Sequence, residues 1–113
     1  LLNKNFSLKK YPSVFFAGQI TGVEGYMESA AAGIMAGIQA VRFAENKPFL
    51  DLPQTTMIGA LSSYICDDTV KNFQPMGANF GILPPIEPKI RDKRARYAAL
   101  AERAVNALKE VIR

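Results

Sequence analysis

Histidine and tryptophan are missing from this 113-residue chain, and cysteine occurs once. Without histidine, neither a zinc site of the usual Cys/His type nor a Ser-His-Asp triad can be assembled within the segment. A lone Cys66 forms no internal disulfide, which fits a reducing compartment such as the cytoplasm. It reads as a buried or partly buried helix cysteine. Long apolar runs are absent as well. The most apolar stretch, Ser29 to Val41, is bounded by Glu28 and Arg42 and falls short of the roughly 20 residues that span a bilayer. The chain opens Leu1-Leu2-Asn3, with no initiator Met and no charged-then-apolar leader. That opening predicts a piece of a longer protein rather than a secretory signal. Repeats and low-complexity segments are also missing.

What is present suits one small domain with a core. At 49% hydrophobic and 21% charged residues the chain is neither a disordered polymer nor a collagen-like fibre. The formal charge is +4, and its distribution is uneven: Lys89 to Arg113 holds eight basic and three acidic residues, so the rest of the chain is slightly negative. Such a face could meet phosphate, or could be a solvated helix surface.

Leu2–Leu8 and Ser13–Ala17 read as short strands separated by Lys9-Lys10-Tyr11-Pro12. The run Val14-Phe15-Phe16-Ala17, closed by Gly18, has the pattern of a strand buried on both faces. Three glycines follow within Gly18–Gly25, and then a long helix is predicted from about Tyr26 to Glu45, stopped by Asn46-Lys47-Pro48. Small residues at Ser29/Ala30, Gly33, Gly37, Ala40 and Ala44 share one face, so either a backbone or cofactor approaches closely there, or the helix packs tightly on a sheet. Pro53 and Thr55/Thr56 suit the start of a shorter helix with a stripe of Met57, Ile58, Leu61, Tyr64 and Ile65, ended by Asp67-Asp68. From Asn72 to Pro88 no period exists, and an irregular but ordered loop is expected. A final amphipathic helix is predicted over 90–111, its stripe being Ile90, Tyr97, Leu100/Ala101, Ala104, Leu108 and Val111/Ile112.

The turn between strand and long helix carries the chemistry. The first N–H groups of a helix lack internal partners and its dipole is positive there, so anionic or oxygen-rich groups are favoured. Gly18 and Gly22 let a flat group approach the backbone, and ligands of open α/β sheets bind beyond the carboxyl ends of the strands. The G-x-G-x-x-G fingerprint is absent, so from residues alone the segment is either a ligand turn or an ordinary tight connection. Glu24 and Glu28 could satisfy the helix dipole or touch a ligand.

Phe15-Phe16-Ala17-Gly18-Gln19-Ile20-Thr21-Gly22-Val23-Glu24-Gly25-Tyr26 closely resembles the second FAD motif of the glucose-inhibited division protein A superfamily. Val23 to Ala30 is similar to the branch that transfers a carbon from folate rather than to the wobble-uridine branch. The block Lys71 to Pro85 resembles that same branch, as does Ile90-Arg91-Asp92-Lys93 with Arg96-Tyr97 and Leu100-Ala101. The resemblance runs from Leu1 to about Ala107, and the family is the folate- and FAD-dependent tRNA uracil-5 methyltransferases.

The resemblance implies an α/β fold, residues 1–113 being the C-terminal part of a Rossmann-like FAD-binding domain. Within it, 13–46 would be the strand–turn–helix flavin motif, 72–88 an irregular active-site loop and 90–111 a basic amphipathic helix. It implies methylene transfer from methylenetetrahydrofolate to C5 of a T-loop uridine in tRNA, with reduced FAD completing the methyl and NADH or NADPH reducing the flavin. Gly18, Gln19, Ile20, Gly25, Tyr26 and Met27 would line the flavin, their N–H groups donating toward its oxygens. Asn79 and Phe80 would face folate or uracil, unless that loop packs only on its own domain. No metal is implied, and the catalytic residues and the Rossmann fingerprint are expected upstream, so the remainder of the protein would complete the FAD site. The isolated segment is therefore expected to be inactive. Alternatives are a segment of the wobble-uridine flavoprotein, or a nonenzymatic RNA-binding module using the basic final helix.

Overall fold

The computed structural model describes residues 1–112, and its regular structure is carried by three α-helices: α1 (Tyr26–Ala44), α2 (Met57–Ile65) and α3 (Lys93–Ile112). Single 3-10 turns lie at Gln19–Thr21 and Phe80–Ile82. No helix among the described residues is long and apolar enough to cross a membrane.

Helix α1 begins after Gly25, which offers no side-chain cap. It ends in a Schellman arrangement: Asn46 adopts a φ of 56°, its N–H donates to Phe43 O at 3.1 Å, and the Lys47 N–H donates to Arg42 O at 2.8 Å. One face buries Ala32, Met35, Ala36 and Gln39. Gln39 is fully buried and satisfied: its amide donates to Leu50 O at 2.7 Å and accepts the Leu50 N–H at 2.9 Å. That pair fastens the connector to α1, because a buried amide left unbonded would be costly. The opposite face leaves Tyr26, Met27, Ile34 and Val41 exposed.

Helix α2 starts where its residues predict. Thr56 is the cap, its hydroxyl accepting the Gly59 N–H at 3.0 Å. Gly59 is required, since a Cβ there would overlap the Pro53 carbonyl. Helix α3 starts later than the expected residue 90. The Asp92 carboxylate accepts the Ala95 N–H at 2.9 Å and its carbonyl accepts the Arg96 N–H at 2.8 Å, so the cap sits at Asp92. Of its expected stripe, Leu100 is buried, Tyr97, Ala104, Leu108 and Val111 are half-buried, and Ala101 is exposed.

Two clusters form the core. Phe6, Ala32, Met35, Ala36 and Leu52 pack together with Ile58, Ile65 and Leu108 against them. Ala60, Leu83 and Leu100 form the second, covered by Met57, Phe80, Ile82, Ile86 and Tyr97. α3 therefore reaches both clusters, through Leu108 and Leu100.

The two expected strands are not extended ladders. Among the described residues the only β pairings are isolated bridges, Leu2 with Leu8, Ser7 with Phe15, and Val23 with Met76. The local reason is a tight turn over Asn3–Ser7: the Phe6 N–H donates to Asn3 O and the Asn3 N–H to Ser7 O, while Asn5 Oδ1 accepts from the Ser7 N–H and hydroxyl. Phe6 is fully buried at a φ of 71°, a left-handed conformation no strand residue adopts. The side chains at 3, 5 and 7 bond locally: Asn3 donates to the Ser7 hydroxyl, and Asn5 accepts from the Ser7 hydroxyl and N–H. The regular structure of the described residues is thus mostly helical, with little strand. The close approach expected at Gly33 and Gly37 is also missing within the described residues, where a Cβ at either would meet nothing.

Candidate functional site

The glycine-rich turn is held by its own backbone. Thr21 donates to Gly18 O from both its N–H (3.0 Å) and its hydroxyl (2.7 Å), and the Gly22 N–H donates to Gln19 O at 3.0 Å. Gly18 (φ 85°, ψ −159°) and Gly25 (φ 90°, ψ 150°) occupy backbone regions that belong essentially to glycine.

The second block runs along this turn. The Met76 N–H donates to Gly22 O at 2.8 Å, the Glu24 N–H donates to Met76 O at 2.9 Å, and Val23 and Met76 make the parallel bridge. The phenyl ring of Phe73 lies directly over Gly22, leaving no room for a Cβ. Farther along, the Glu28 carboxylate accepts the Ala78 N–H at 2.8 Å. That bond, together with the residue's own N–H, holds the Glu28 carboxyl below its ordinary value, against a smaller desolvation effect. Glu28 also packs over Gly25, where its carboxylate fills the space of a Cβ. It stands in the first turn of α1, so its negative charge complements the helix N-terminus as well. Glu24 is exposed and contributes its backbone to the pairing.

The sequence-predicted residues fall into separate neighbourhoods. Gln19 and Ile20 line a 510 Å³ apolar cleft with Leu2, Phe16, Phe73 and Pro75. Gly25, Tyr26 and Met27 stand at the N-terminus of α1, and the Tyr26 and Met27 side chains are exposed at 89% and 82%. Asn79 is exposed, and its amide donates within the loop, to Gly77 O at 3.2 Å and Met76 Sδ at 3.4 Å. Phe80 turns the other way: its ring stacks on Tyr97 with centroids 4.3 Å apart and lines a second cavity of 550 Å³ with Lys89, Ile90 and Arg96. One face of Phe80 is therefore occupied within the domain.

Phe73, Pro75 and Met76 lie within the Lys71–Pro85 block that resembles the folate branch, but no site role was expected of them, although they join the two blocks. A single bridge produces no alternation, so no periodic signal could have revealed them. Cys66 follows α2 as its C-cap; it is half-buried, its thiol donates to Ser63 O at 3.4 Å, and burial pushes its pKa up. No group of three or more potential metal-ligating residues occurs among the described residues.

Residues 1–48 match the family described as glucose inhibited division protein A. Across its whole length the chain is 50% identical to the methylenetetrahydrofolate–tRNA-(uracil-5-)-methyltransferase TrmFO of Halalkalibacterium halodurans, covering 26% of that protein. It is 56% identical to the protein of the same name from Syntrophomonas wolfei over 97% of the chain and 25% of the relative. For the one from Dictyoglomus thermophilum the identity is 59% over 92% of the chain and 24% of the relative. The chain thus spans about a quarter of the length of the curated relatives it matches. It is similar throughout to one segment of these methyltransferases, and its first 48 residues match the glucose inhibited division protein A family model.

Proposed function

We propose that this chain is the C-terminal part of the FAD-binding domain of a folate-dependent tRNA (uracil-5-)-methyltransferase, contributing one half of the flavin site. The observation that carries the reading is the pairing of Gly22–Glu24 with Met76, reinforced by Glu28 and Ala78. The two blocks that resemble the folate branch are adjacent in space, as parts of one site should be.

The residues fit a flavin. Gly25 leaves the first turn of α1 without a side-chain cap, the space at Gly18 is open, and the Glu28 carboxylate that lies over Gly25 is the far end of a flexible side chain that a ligand would displace. Backbone N–H groups at Gly18–Ile20 and Tyr26–Met27 are the donors toward an anionic or oxygen-rich edge of FAD. Exposed Ile20, Tyr26 and Met27 supply apolar contact area. Asn79, exposed on the loop anchored by Glu28, would bond a ring edge of folate or uracil by giving up its bonds within the loop, and Phe80 fixes that loop to α3. When bound, the reduced flavin supplies the electrons that complete the methyl group, with methylenetetrahydrofolate as carbon donor and NADH or NADPH as reductant. The chain's own part is to bind and orient; proton transfer and nucleophilic attack belong to residues outside it. The remainder of a longer polypeptide would complete a Rossmann-like sheet over Phe15–Ala17 and the exposed face of α1, in a cytoplasmic enzyme acting on tRNA.

The test is methyl transfer by the full-length polypeptide that carries this segment. Incubated with unmodified tRNA transcript, labelled methylenetetrahydrofolate and NADH or NADPH, it should place label on C5 of a T-loop uridine. A flavin-loaded protein that labels no uridine would refute the assignment.

A further inference from the structure

The function proposed above leaves one charged surface unused. Lys89, Arg91, Lys93, Arg94 and Arg96 put five cations into eight residues around the start of α3. The only acid among them, Asp92, is engaged as the helix cap. Neither ion pair found among the described residues, Lys9–Asp68 or Lys47–Glu45, involves these cations. All but Arg96 are exposed.

Two of the five are held in place by an aromatic ring. Lys93 Nζ lies 5.6 Å and the Arg96 guanidinium 5.5 Å from the centre of Tyr97, which is itself stacked on Phe80. The 550 Å³ cavity beside them is lined by Phe80, Tyr97 and Ile90 together with Lys89 and Arg96, Glu87 being its one acid. Aromatic rings and an excess of cations along one cavity match a nucleotide unit, its phosphate on the cations and its base against the rings. An acidic protein surface would use the charges but leave the cavity without an occupant.

We infer that Lys89–Arg96 is a phosphate-contacting edge for RNA, with the Phe80–Tyr97 cavity receiving an unpaired base. This inference rests on the tRNA-modifying reading in taking tRNA as its ligand. Lys89, Arg91 and Arg94 are the free phosphate contacts, whereas Lys93 and Arg96 also brace Tyr97.

The experiment uses the full-length polypeptide and unmodified tRNA transcript, with affinity measured over a range of salt concentrations. In K89Q/R91Q/R94Q the slope of log K against log salt should become shallower by about 2–3, one phosphate contact being lost per residue. The charge-preserving variant K89R/R91K/R94K should bind like wild type. An unchanged slope in the triple Gln variant overturns the inference, as does an equal loss in the charge-preserving variant or no tRNA binding by wild type. Methyl transfer and flavin content are read separately. A wild type that binds tRNA with the predicted slope change yet labels no uridine sustains the RNA edge and refutes the methyltransferase reading.

Discussion

Replacing Gly25 with alanine perturbs the turn in two separable ways. At φ 90° and ψ 150° the backbone sits where a Cβ is disfavoured, a cost of about 1–3 kcal/mol. The new methyl would also overlap the Glu28 carboxylate, which is the far end of a flexible side chain and can swing away, releasing the Ala78 N–H. Unfolding entropy of about 2.1 cal/mol/K per residue gives about 240 cal/mol/K for 113 residues, so the conformational cost corresponds to a fall in Tm of about 4–12 °C. Thermal unfolding of the 113-residue chain followed by far-ultraviolet circular dichroism measures it. Adding Glu28→Ala removes the overlap but not the backbone cost, so G25A/E28A should melt no higher than Gly25→Ala alone. A Gly25→Ala melt within about 1 °C of wild type would show that the turn does not hold this conformation, and the reasoning would fail.

Other consequences follow from the same contacts. Gln39→Leu strands the N–H and carbonyl of Leu50, at about 1–3 kcal/mol each, and should lower stability to urea by about 2–6 kcal/mol; a change below about 0.5 kcal/mol would refute the buried pairing. Because the folded Glu28 carboxyl lies below its ordinary value, its bond to Ala78 contributes stability above the carboxylate range and loses it as pH falls through the folded value. The Ala78 amide resonance should therefore titrate at a pH below that of an unfolded glutamate, and E28Q should abolish that titration. Burial raises the Cys66 thiol, so at mildly alkaline pH it should alkylate more slowly in the folded chain than in urea. Equal rates would place the thiol in solvent.

Much of the helical framework could be read from residue order. The stripe of α2 and its Thr56 cap are local signals, as is the Asn46-Lys47-Pro48 stop of α1, and each folds as its chemistry directs. Helix α3 starts at Lys93 rather than Ile90 because a cap outranks one apolar residue of a stripe. The two expected strands reduce to isolated bridges because Asn3, Asn5 and Ser7 bond locally and Phe6 takes a left-handed backbone that nothing in its identity announces. Gly18 and Gly25 were legible as special positions. What Gly25 accommodates within the chain is Glu28, a partner three residues away that the sequence reading assigned only to the helix dipole or a ligand. The coupling between Gly22–Glu24 and Met76 rests on two backbone bonds between distant residues, which composition does not encode. Phe80 shows the remaining difficulty: an aromatic suited to stacking on a ligand is equally suited to Tyr97.

The central claim is that Gly18–Met27 and the loop after Asn72 form one half of an FAD site whose other half lies elsewhere in a longer polypeptide. Flavin absorbance of purified protein tests it most directly, with the full-length polypeptide, its Gly25→Val variant and the isolated 113-residue chain compared side by side. The account predicts stoichiometric flavin in the full-length protein, a clear loss in Gly25→Val, and a colourless isolated chain. A Gly25→Val protein with undiminished flavin, or an isolated chain that retains stoichiometric FAD, would contradict it.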